Sequence, residues 1–125
     1  MNEIKSLCLK FEPVGSRVTC NPPPLDTDID YLLLVEPEKF NDFEMVLFDS
    51  GYEMGGSRIH AGGCLLGDEN SFQSYTKGEV NLIVTASEEF FIKFMAATAK
   101  AKELNLLHKE DRIALFQEIL YGVNV

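Results

Sequence analysis

Tryptophan is absent from this chain, and cysteine is scarce: Cys8, Cys20 and Cys64 are the full set. Three is an odd number, and no Cys-x-x-Cys spacing occurs. A disulfide framework is therefore not expected, and the three read as reduced thiols of a cytosolic protein. Basic residues are also few. Lys and Arg number 11 against 20 Asp and Glu, for a formal net charge of −9. Such an acid excess disfavours nonspecific binding to DNA or RNA backbones, which needs clustered cations. A local basic pocket stays open. No apolar run approaches the ~20 residues of a membrane-spanning helix. The N-terminus lacks the charged-then-apolar pattern of a signal peptide, and no internal repeat or low-complexity tract is found. No Gly-Lys-Ser/Thr occurs, which excludes a P-loop. What is present is a 125-residue chain, 46% hydrophobic. That suits one domain over residues 1–125, able to bury a core without disulfides or a structural metal.

Along the chain, Asn2 to Phe11 fits a short helix or an initial strand, and Val14 to Val18 a short strand and turn. Cys20 to Leu25 is a loop, because Pro22-Pro23-Pro24 cannot donate ladder hydrogen bonds. Ile29 to Val35 is a continuous apolar run and predicts a buried strand. Pro37 suits the first turn of a helix running to Asp49 and stopping at Gly51. Its Phe40, Phe43, Val46 and Leu47 fall on one face. Gly51 to Asn70 is rich in glycine and carries no clear period. Phe72 to Lys77 and Glu79 to Thr85 predict a hairpin turning at Lys77-Gly78. Ser87 caps a helix to about Leu104, with Glu88 and Glu89 in its first turn. Leu106-Leu107-His108 is a linker, and Lys109 to Tyr121 is a last helix ended by Gly122. Strands among helices give an α/β (α+β) fold, a small mixed sheet flanked by helices.

The chemistry centres on two places. Val14-Gly15-Ser16-Arg17 is a turn whose backbone N–H groups and hydroxyl suit a phosphate. Asp28 and Asp30 then alternate at the mouth of the strand Ile29 to Val35, so both point to one face. Converging carboxylates repel unless a cation or proton offsets the charge. A hard divalent ion with oxygen ligands suits that place. Other aspartate motifs fail by position. An EF-hand loop from Asp26 would need Gly and Glu where Tyr31 and Pro37 stand. A haloacid-dehalogenase-type nucleophile would follow a strand rather than precede one.

This layout resembles the polymerase-β-like nucleotidyltransferase superfamily. That family has Gly-Ser at a turn, a spacer, then (Ser/Thr)-Asp-x-Asp leading into an apolar strand. Here Gly15-Ser16 and Thr27-Asp28-Ile29-Asp30-Tyr31-Leu32-Leu33 match, over residues 14 to 35. The chain also resembles short nucleotidyltransferase-like proteins encoded by bacteriophages, which would place it in a host cytoplasm. The resemblance implies a nucleotidyltransferase-like core. It also implies Mg²⁺ or Mn²⁺ held by Asp28 and Asp30, and a nucleoside triphosphate as substrate. The nucleoside monophosphate would pass to an acceptor, which can be a protein, a small molecule or an RNA end presented by a partner. The family completes its metal site with a third acid on a neighbouring strand. In Glu79-Val80-Asn81-Leu82-Ile83-Val84 that position falls on Asn81, which brings no charge and cannot act as base. Glu79, two residues earlier, could supply the missing carboxylate.

Arg17 and Lys77 are candidates for neutralising a triphosphate. Arg58 and His60 sit in the glycine-rich region, where a loop can cover substrate. His60 and Cys64 have no second pair to complete a zinc site. Phe90, Phe91, Phe94 and Met95 read as helix core. Two functions follow, beside a third and weaker reading of a structural acidic protein whose aspartates never bind metal. One is a Mg²⁺-dependent nucleotidyltransferase working through Asp28, Asp30, Glu79 and Asn81, with Gly15, Ser16, Arg17 and Lys77 binding the nucleotide. The other is an inactive protein of the same fold that binds a nucleotide or a protein partner.

Overall fold

A computed structural model describes residues 2–21, 29–58 and 72–121. Its centre is a five-stranded sheet in the order β1-β2-β5-β4-β3. The strands are β1 (Lys10–Val14), β2 (Ile29–Leu34), β3 (Glu53–Arg58), β4 (Phe72–Lys77) and β5 (Val80–Thr85). β2 and β5 run parallel, and every other neighbouring pair is antiparallel. The helices are α1 (Asn2–Ser6), α2 (Ser16–Thr19), α3 (Phe40–Asp49), α4 (Glu88–Leu104) and α5 (Lys109–Tyr121). This is the expected mixed α/β (α+β) fold, consistent with a nucleotidyltransferase-like core.

The continuous apolar run of β2 is explained by burial on both faces. Leu33 and Val35 join Phe43 and Leu47 of α3, together with Tyr75, Leu82 and Val84, on one side. Leu32 and Leu34 join Val14, with Phe90 and Phe91 of α4 and Leu120 of α5, on the other. A strand covered on both faces needs apolar residues at consecutive positions rather than alternate ones. Leu32 and Leu33 are fully buried, so truncating either to Ala costs about 2–5 kcal/mol. Pro13 stands on β1, which pairs only with β2 among the described residues. An edge strand is where proline is tolerated in a sheet, and it blunts the edge.

Several elements differ from the sequence reading. The strand near Val14 ends there, and residues 16–19 turn into α2. Gly15 forces this change of course, because it takes φ 83°, a conformation that favours glycine. Pro37–Lys39 forms a 3₁₀ turn that leads into α3 rather than its first turn. β3 lies where no period was visible. Its pairing with β4 shifts register between Met54 and Ser57, and a bulge there breaks the alternation. The β4–β5 turn is Gly78-Glu79, one residue later than expected. Gly78 supplies the positive φ, 60°, that a two-residue hairpin turn needs at its first position. Ser87 caps α4 as its sequence predicts, its Oγ accepting from the Phe90 N–H at 3.1 Å.

Candidate functional site

Three chain segments meet at one end of the sheet. β1 delivers Val14 beside Asp30, and β2 delivers Asp30 beside Asn81 of β5. Since side chains alternate, Asp30 shares its face with Leu32 and Leu34, the face covered by α4 and α5. The Gly15-Ser16 turn folds over this point. A Cβ placed on Gly15 would lie 2.2 Å from Asp30 Oδ2 and 2.9 Å from its Cγ. Glycine is thus required twice, for its backbone angle and for the space that Asp30 occupies. The sequence pairing of Gly15-Ser16 with the aspartate strand is a direct spatial contact at Asp30.

Asn81 Nδ2 donates to Asp30 Oδ1 at 3.2 Å. A carboxylate only accepts, so the amide must present its NH₂ and turn its carbonyl oxygen elsewhere. The bond is long for one with an ionised acceptor. Its geometry nevertheless gives Asn81 a definite task, the partial offset of the Asp30 charge by a neutral donor. Thr76 is the next residue across, the partner of Asn81 on β4. It lies on the same face, and nothing in a local sequence pattern distinguishes it.

The remaining candidates divide. Ser16 and Arg17 open α2, with Ser16 half-buried and Arg17 exposed. Glu79 is not a strand residue. It occupies the exposed second position of the hairpin turn, and its carbonyl accepts from the Ile29 N–H at 2.8 Å. Lys77 lies on the opposite face of the sheet from Asp30. Its Nζ donates to Ser50 O at 2.7 Å, at the C-terminal cap of α3, and sits 5.8 Å from the Tyr52 ring centroid. A cation at a helix C-terminus is favoured by the helix dipole. Lys77 is consequently not brought to the turn, because adjacent strand residues point to opposite faces. Asp28, His60 and Cys64 lie outside the described residues, and Arg58 is the last residue of β3.

Among the described residues, no group of three His, Cys, Asp or Glu stands close enough to hold a metal ion. Asp30 is the one carboxylate of the junction described, and its nearest strand partner offers it a donor. A Mg²⁺ ion prefers near-octahedral oxygen coordination, and the described residues do not supply that set.

No family model and no curated protein matches the chain. Among solved structures it is similar to the conserved protein GrpB from Enterococcus faecalis. The two share 17% identity at a TM-score of 0.63, over 97% of this chain and 88% of that one. The likeness is one of fold.

Proposed function

We propose that this chain is a nucleotidyltransferase-fold protein that binds a nucleotide without transferring it. One observation carries the reading: the residue in register with Asp30 is Asn81, whose amide donates to the Asp30 carboxylate. Where a metal-dependent transferase needs a further negative oxygen, this chain has a neutral hydrogen-bond donor. The Gly15-Ser16 turn receives the phosphates, with Arg17 beside it, and Asp30 holds the turn in place. Binding with little metal dependence follows from that arrangement. The protein acts as one domain over residues 1–125 in the cytoplasm. Its −9 charge suits it to dock on a basic protein partner once the nucleotide is bound.

A second reading is favoured by the order of Gly15-Ser16, Asp28 and Asp30 in the sequence. In it the chain is a transferase using Mg²⁺ or Mn²⁺ on Asp28 and Asp30, and it passes the nucleotidyl group to a protein or RNA acceptor. Calorimetry with each of the four ribonucleoside triphosphates, with and without Mg²⁺, separates the two. The binder predicts similar affinity in both conditions and no pyrophosphate release. Affinity that exists only with Mg²⁺, accompanied by pyrophosphate, would support the transferase.

A further inference from the structure

The far end of α2 is fastened to the bend between α4 and α5 by contacts that no local sequence pattern reveals. Asn105 ends α4 in the left-handed conformation, φ 48° and ψ 54°. It is the one non-glycine residue at positive φ among those described. Glycine would hold that backbone position at lower cost, so the asparagine side chain calls for another explanation. Its Oδ1 accepts from the Asn21 N–H at 2.9 Å, and its Nδ2 donates to Asn21 O at 3.2 Å. The amide thus pairs with the Asn21 backbone as a neighbouring strand would, 84 positions away in sequence.

Beside this pair, Arg112 Nη1 donates to Leu106 O and Leu107 O at 2.9 Å each, and to Cys20 Sγ at 3.2 Å. The Cys20 thiol donates in turn to Leu106 O at 3.4 Å. Cys20 and Thr19 are 4% and 2% exposed. Cys20 and Asn21 are therefore held at the α4–α5 bend, by the Asn105 and Arg112 side chains and the Leu106 carbonyl. Four residues upstream of Thr19 is Gly15, whose carbonyl accepts from the Val18 and Thr19 N–H groups at 3.0 and 3.1 Å.

We propose that Asn105 and Arg112 are positioning residues that set the Gly15-Ser16 turn against Asp30 by clamping the end of α2 to the α4–α5 bend. The consequence for affinity rests on the nucleotide reading above, while the clamp itself does not. α2 has a single turn, too short to be stable alone. Its orientation must come from tertiary contacts, and the clamp supplies them at the end away from the turn.

The test is Asn105→Gly, which keeps the left-handed cap and removes both hydrogen bonds to Asn21. Amide hydrogen exchange is followed residue by residue, without ligand. The Val18, Thr19 and Cys20 amides should exchange about tenfold faster or more, with Leu82 and Val84 of β5 unchanged. Affinity for the best-bound ribonucleoside triphosphate should fall about tenfold, while the melting temperature barely moves. Wild-type exchange in α2 would overturn the proposal. So would equal acceleration in α2 and β5, which marks a merely structural role. If Asn105→Gly does not fold, Arg112→Met is read in the same way, since it keeps an unbranched apolar stem and removes all three donated bonds. A wild type that binds no nucleotide would remove the functional reading, and the exchange data would still decide the clamp.

Discussion

Replacing Asn81 by aspartate sets a second carboxylate where a neutral amide now donates to Asp30. The present Nδ2 to Oδ1 distance is 3.2 Å. Two unit charges at that separation repel by about 5 kcal/mol at an effective dielectric of ~20. Both side chains can turn apart at this half-buried position, so about 2 kcal/mol is expected to remain, including the lost hydrogen bond. For a chain of this size that lowers Tm by roughly 8 °C. The penalty has a pH signature. A carboxyl beside a carboxylate has its folded-state pKa raised above the unfolded ~3.9. The penalty is therefore absent below that value, where both groups are protonated in either state, and complete at neutral pH. Asn81→Asp should match the wild type near pH 3.5 and fall below it at pH 7. Millimolar Mg²⁺ should restore part of the loss at pH 7, because the variant then offers two converging carboxylates to a cation. Thermal unfolding at both pH values, with and without Mg²⁺, is the assay. A variant as stable as wild type at pH 7 without metal would refute the role given to the Asn81 amide.

Three further outcomes follow from named contacts. Gly15→Val should destabilise the fold by about 2–4 kcal/mol, since it combines a positive φ with overlap on Asp30, whereas Ser16→Ala should cost ~1 kcal/mol; denaturant melts compare the two. Lys77→Met should lower stability by about 0.3–1 kcal/mol through the lost α3 cap and leave nucleotide affinity unchanged by calorimetry, because Lys77 faces away from the turn. Burial pushes the Cys8 thiol up from 9.0 to about 12 and raises Tyr52 and Tyr75, Tyr75 also through its hydrogen bond to Glu44. These groups hold their protons in the fold and release them on unfolding. Stability should decline as pH rises above about 9, and Cys8→Ser should shift the onset towards 10, as melts across pH 8–11 will reveal.

The sequence was most legible where one physical demand acted locally. The buried strand at Ile29 declared itself through consecutive apolar residues, and α4 through the Ser87 cap with Glu88 and Glu89 after it. Gly15 was visible as a turn, but its second requirement, the space taken by Asp30, depends on a contact across two strands. β3 was hidden because a register shift and its glycines break the alternation that marks a strand. Glu79 was read onto β5 because the turn could be placed on either side of Gly78, and one residue decides whether its side chain belongs to the sheet. Lys77 is the same lesson in another form, since position along a strand does not settle the face. Asn105 and Arg112 gave no signal at all. An asparagine in a linker and an arginine in a helix acquire their task only when a segment 84 positions away arrives beside them.

The central claim is that nucleotide phosphates meet the Gly15-Ser16 turn over Asp30. Amide and side-chain NH₂ resonances of the ¹⁵N-labelled protein, followed during titration with each ribonucleoside triphosphate without Mg²⁺, test it most directly. The account predicts saturable shifts concentrated at Gly15, Ser16, Arg17 and Asp30 and at the Asn81 NH₂, with Gly51 and Lys77 across the sheet unmoved. Shifts that saturate elsewhere while these five stay still, or no shift at millimolar concentrations of every nucleotide, would contradict it.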